Sequence, residues 1–228
     1  MAEKQKSTRT IAIGMIIVIV VIGIILAFWL QAENSRKKAF EAGYYKHSYE
    51  VLEDARDRAR VDLVRTALYV STCDGRNEFH CDEIKRERNQ LIDRGFPDKI
   101  TDSDAKAYEQ ASLDADVLVM SIENTIEQND YFIELIHENG IDEDLSELID
   151  TTVQEASAAH ASLRLADHEL SANPDNEAIR TAREALETSL AQFETKDLPA
   201  GWDYDDVEAA LEELQDTRQV LNEQTGFD

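Results

Sequence analysis

Acidic side chains dominate this 228-residue chain: 48 Asp and Glu stand against 23 Lys and Arg, for a formal charge of −25. Such a charge repels nucleic acid and anionic lipid headgroups, so the acidic part of the chain is expected to bind neither. With 8 Gly and 3 Pro in all, the composition predicts an all-α fold and leaves little material for a loop-built active site. Abundant Asp and Glu with scarce Lys is a halophile-like composition, in which high salt would screen the self-repulsion.

The chain opens with a short polar tail, residues 1–10, followed by IAIGMIIVIVVIGIILAFWL over residues 11–30. That run carries no charge and would be about 30 Å long as a helix, which matches the hydrocarbon thickness of a bilayer. Phe28 and Trp29 stand at its distal end, where aromatic rings favour the membrane interface. The expectation is a single-pass signal-anchor in the cell membrane, with residues 11–30 in lipid and residues 31–228 as one acidic domain. A cleaved signal peptide is the rival reading, with Leu30-Gln31-Ala32 as a weak cleavage signature, but the apolar run is long for that role. Basic residues flank both sides (Lys4, Lys6 and Arg9; Arg36, Lys37 and Lys38), so charge alone does not orient the span. The short tail and the two cysteines favour a cytoplasmic N-terminus and an extracytoplasmic domain. Gly14 and Gly23 lack the spacing of a helix-dimer motif.

Beyond the anchor, apolar residues recur at three- and four-residue steps. The first stripe, Leu52, Ala55, Ala59, Leu63, Ala67 and Val70, predicts a helix continuing from the membrane to about Val70, with Gly43 as a weak point. A short helix is expected over Asp82–Arg94, stopped by Gly95-Phe96-Pro97. The next, capped by Thr101 or Ser103, runs to about Asn139 with Ala115, Leu118, Ile122, Ile126, Asn129, Ile133 and Ile136 in register. Gly140 ends it and turns the following helix back antiparallel.

That helix, Asp142 to about Leu170, carries a heptad of Leu145, Ile149, Thr152, Ala156, Ala159, Leu163, Ala166 and Leu170, whose small central residues allow close approach of a neighbour. After the turn at Asn173-Pro174-Asp175, Ile179, Ala182, Leu186, Leu190 and Phe193 mark another helix. A connector from Lys196 to Tyr204 follows, with Trp202 and Tyr204 expected to cover the bundle end. A last helix is expected over about Asp205–Asn222. The architecture predicted is one transmembrane helix followed by an elongated antiparallel bundle of about five amphipathic helices.

Cys73 and Cys81 flank a short loop, and outside the cytoplasm a disulfide would staple it. A metal site drawing on Cys73, His80 and Cys81 competes with that reading, but its spacing fits no familiar zinc pattern. The acidic clusters at 142–144 and 203–206 suit helix N-termini better than a calcium loop. Tyr44, Tyr45 and Tyr49 form an aromatic cluster that suits a bundle layer or a ligand or partner contact. No phosphate loop, nucleophile elbow, zinc-protease or dinucleotide motif is present, so neither enzyme activity nor a cofactor is expected.

Function is read as a membrane-anchored helical scaffold or accessory subunit that binds other proteins at the membrane surface. Two alternatives share the architecture. A long helix leaving a membrane span into a helical bundle resembles the extracellular part of bacterial chemoreceptors, which implies a sensor. With its last helix ending at Asp228, the chain would then pass its ligand state to a partner. The other alternative is a strut subunit of an envelope secretion or surface-filament complex.

Overall fold

The computed structural model describes Ile22, residues 24–39, 43–95 and 105–227. Every regular element among them is a helix: α1 over 24–39, α2 Tyr44–Ser71, α3 Glu78–Arg94, α4 Ala105–Glu138, α5 Glu143–Ala172, α6 Glu177–Ala191 and α7 Tyr204–Thr225. The chain groups into two compact units, one of Val51–Asp98 with Val117–Asp228 and one of Met1–Glu50 with Lys99–Asp116.

Most of the predicted anchor lies outside the described residues. Its described part, Ile22 and 24–30, is helical with exposed side chains, and among the described residues no helix is long and apolar enough to cross a membrane. The expected unbroken helix from the anchor to Val70 is corrected. Gly43 stands in a turn at φ +69°, a left-handed conformation that glycine adopts without steric cost, and α2 begins afresh at Tyr44. In this smaller unit Arg36 of α1 pairs with Glu33 at 3.8 Å and with Glu109 of α4.

The larger unit holds the main core. Most of the seam residues read from the sequence are buried, among them Ala55, Ala59 and Leu63 on α2, Ile149, Ala156, Ala159 and Ala166 on α5, Ile179, Leu186 and Phe193 around α6, and Val207, Leu214 and Leu221 on α7; Val70, Leu118, Ile126, Leu145 and Leu170 are half-buried. α5, α6 and α7 pack mutually, and the alanines of α5 and α7 bring no bulk to hold those backbones apart. α3 buries a face of its own, Cys81, Ile84 and Leu91, and with this expected short helix counted the described helices from α2 to α7 number six. It starts at Glu78, earlier than Asp82, and its first turn includes the bridged Cys81.

Polar chemistry at the helix ends agrees with the sequence. Asp142 accepts from the Leu145 amide at 3.1 Å, and Asn176 accepts from Ile179 at 3.3 Å. Asp203 and Asp206 form a reciprocal capping box at α7, which satisfies N–H groups that a helix start leaves unpaired. Gly140, at φ +87°, takes the chain out of α4 toward α5. Trp202 covers the core beside Phe193, ring centroids 6.4 Å apart. Tyr204 does not share that role, being 42% exposed on the first turn of α7.

Helices α2 and α4 run parallel. Arg58 meets Glu123, Asp62 meets Asn129, Arg65 meets Asp130 and Tyr69 meets His137. The antiparallel expectation concerns sequence neighbours, and α3 makes the return journey between these two.

If the small residues set the helix spacing, adding bulk at a seam should cost far more than adding it one residue away. Ala210→Leu is expected to destabilise by about 1–3 kcal/mol through overpacking. Ala209→Leu, exposed on the same turn, should stay within about 0.5 kcal/mol. Equal urea midpoints for the two variants would remove the seam from the explanation.

Candidate functional site

The stretch Asp54–Arg65 of α2 is dense in charge, and a helix packed on two neighbours cannot turn all of it to water. Asp62 is the residue taken inside, 3% exposed. Arg65 donates to its Oδ1 at 2.6 Å and the Asn129 amide to its Oδ2 at 2.7 Å, so both oxygens are occupied. Burial pushes its carboxyl above the usual range, and Arg65 and Asn129 oppose that rise. Arg65 also reaches Asp130 at 2.5 Å, while Arg58 bridges Asp54 at 3.3 Å and Glu123 at 3.1 Å. Arg164 of α5 closes the set on Asp57.

These side chains border a cleft of about 400 Å³ between α2, α4 and α5, with Val61, Ile126 and Val153 as its apolar part. His160 lines it, only 4% exposed, and among the described residues its Nε2 has no hydrogen-bond partner. Burial, aided by Arg60 and Arg164, lowers the imidazole pKa to about 4, so the ring is neutral near pH 7. An orphaned polar atom at such depth costs about 1–3 kcal/mol. His160 also borders a second cleft of about 500 Å³ with Arg60, Glu184, Glu187 and Glu194. There burial raises the Glu194 carboxyl, against the pull of Arg60.

Arg88 is wholly buried on α3 and donates to the carbonyls of Phe193 and, at 2.6 Å, Thr195. Those carbonyls follow the end of α6, where no helical partner remains for them. Burial lowers the guanidinium pKa to about 10, which leaves it charged. Sequence reasoning misses Asp62, Arg88 and His160 as buried polar groups. Arg88 does carry a signal, since it shares the register of Cys81, Ile84 and Leu91.

Cys73 and Cys81 are disulfide-bonded, Cα to Cα 6.4 Å. Neither sulfur is then a thiolate ligand, and among the described residues no group of His, Cys, Asp and Glu is placed to hold a metal ion. The enclosed loop is ordered by Asp74, which accepts from the Arg76 and Asn77 amides at 3.1 and 3.2 Å. Around the bridge a run of rings emerges: Phe79 lies 5.5 Å from His80, His80 lies 6.3 Å from Phe132, and Phe132 lies 5.4 Å from Tyr131. The other aromatic cluster, Tyr44, Tyr45 and Tyr49, sits on the first turns of α2, but those side chains fall outside the described residues.

Removing the bridge with Cys73→Ala and Cys81→Ala is expected to lower the unfolding free energy by about 2–3 kcal/mol, the value for so short a loop. An unchanged urea transition would show that the bridge does not constrain the unfolded chain. For His160 the pKa falls on folding, so its contribution is full above the unfolded value of 6.5 and is lost as pH drops toward about 4. Relative to His160→Gln, the native protein should therefore lose up to about 3 kcal/mol across that window. The buried carboxylates, whose pKa values rise, act with the opposite sign but equally in both proteins. Parallel pH–stability curves would refute a buried neutral histidine. No family model matches this chain, and no curated protein or solved structure matches it either.

Proposed function

We propose that this chain is a membrane-anchored helical module that binds another protein through the disulfide-bridged end of its bundle. The observation that carries this reading is the aromatic run beside the bridge. Phe79 is 67% exposed and Tyr131 58% exposed, yet each touches a ring set into the fold. Exposed aromatics on a rigid base supply large contact area with little loss of side-chain freedom on binding. The disulfide fixes the start of α3 and hence the placing of Phe79 and His80, so the surface is preorganised.

Anchoring is supported by α1. Ile24, Ile25, Leu26, Phe28, Trp29 and Leu30 expose apolar side chains on nearly consecutive positions, so every face of that stretch is greasy. Successive residues turn by about 100°, and a helix apolar all round calls for lipid or deep burial. Residues 11–30 are the span in this reading, with the N-terminus cytoplasmic. The bundle then lies in the oxidising compartment that a structural disulfide favours.

A photoreactive residue placed at Phe79 in native membranes should yield one discrete adduct, and the same probe at exposed Glu212 of α7 should yield none. No adduct at position 79, or the same pattern from both positions, would end the partner reading. Alkaline carbonate should leave the chain in the membrane pellet, and its release would end the anchor reading.

A further inference from the structure

We infer that the cleft between α2, α4 and α5 is a binding site for a small zwitterion, of the class of amino acids with short branched apolar side chains. Three features of the cleft set the class, and none depends on which protein the aromatic end meets.

The first is size. A volume of about 400 Å³ falls in the range of small-ligand sites and suits a compact metabolite better than a peptide.

The second is charge arranged in both signs around one opening. Arg58, Arg65 and Arg164 line it together with Asp54, Asp57, Asp130 and the inward, already bonded Asp62. Each arginine already has an acidic partner, so a simple anion would meet carboxylates wherever it met cations. A simple cation would meet the reverse. A molecule carrying an ammonium and a carboxylate a few ångström apart can lie across these pairs and gain from both. Val61, Ile126 and Val153 give the remaining body of such a molecule an apolar wall.

The third feature is the unspent hydrogen-bonding atom. His160 is buried and lines the cleft, and among the described residues its Nε2 has no partner. A neutral imidazole presents that nitrogen either as a donor or as an acceptor, according to tautomer. An amino acid answers both cases, its carboxylate accepting from the first and its ammonium donating to the second. An ion-pair cluster kept only for folding gives no reason to leave a buried ring nitrogen empty beside an opening of this size.

The test uses the full chain in detergent and isothermal titration with L-leucine, L-valine and L-isoleucine. Leucinamide, which lacks the carboxylate, and 4-methylpentanoate, which lacks the amine, serve as half-molecules. A saturable response to at least one of the three amino acids is expected, with both half-molecules at least tenfold weaker. Ser157→Trp fills the cleft from its exposed rim without replacing any member of an ion pair. It should abolish binding while circular dichroism and the melting temperature stay close to those of the parent. His160→Leu, which removes the ring nitrogen altogether, should weaken binding at least tenfold, judged in the same way for folding. No saturable response to any of the three amino acids would mean that the cleft holds solvent only. Equal responses to the half-molecules, or undiminished binding by Ser157→Trp, would overturn the assignment as well.

Discussion

A carboxylate taken out of water loses several kcal/mol of hydration, and only donors in good geometry restore it. Inside this bundle that demand falls on Asp62, and its two donors come from different directions. Arg65 stands one turn along the same helix, and Asn129 stands on α4. A slide of α2 against α4 by one turn would strand the carboxylate without Asn129. The apolar seams tolerate such slides better, since one alanine or leucine resembles the next. Asp62 therefore supplies register where hydrophobic contact supplies attraction. The surrounding pairs, Arg58 with Glu123 and Arg65 with Asp130, follow the same register, although as partly exposed bridges each contributes little alone.

Attraction itself comes from small residues. Ala55 and Ala59 on α2, Ala156, Ala159 and Ala166 on α5, and Ala210 on α7 are all buried. Close backbones exclude water from the seams, and the excess negative charge then has to lie on the outward faces. The same division explains why helix starts carry acid: Asp142, Asp203 and Asp206 serve as caps where a carboxylate is favoured by the helix dipole.

Much of this is legible in the amino-acid sequence alone. Stripes at three- and four-residue steps locate the helices, Gly140 locates the turn, and the close spacing of Cys73 and Cys81 locates the bridge. What stays hidden has one common cause. A charged residue on an amphipathic helix reads as solvated until a second helix is known to lie over it, so Asp62 gives no sign of burial. Asn129 does stand within the stripe of α4 as its one polar member, and it is the donor that Asp62 requires. Arg88 holds a core position in α3 by the same arithmetic. A polar residue in the register of apolar ones is thus the signal that marks buried hydrogen bonding in this chain. The break at Gly43 is less legible, because a glycine within a charged run can be carried inside a helix at modest cost.

The connector between α6 and α7 shows how such buried polar groups hold irregular chain in place. Residues 192–203 have no regular structure, and their carbonyls need partners. Arg88 supplies two of them from α3, Lys196 pairs with Asp93 near the end of the same helix, and the Trp202 amide donates to the Ser71 carbonyl at 2.9 Å. The connector is therefore bound along α3 and ends beside the last turn of α2, a short step in sequence from the disulfide. One end of the larger unit is thereby tied through both covalent and hydrogen bonds, which is the condition an exposed aromatic surface needs in order to keep its shape. The cleft has no such cover. Its charges face one another across an opening, fixed in place by the same carboxylate that fixes the register of α2 and α4.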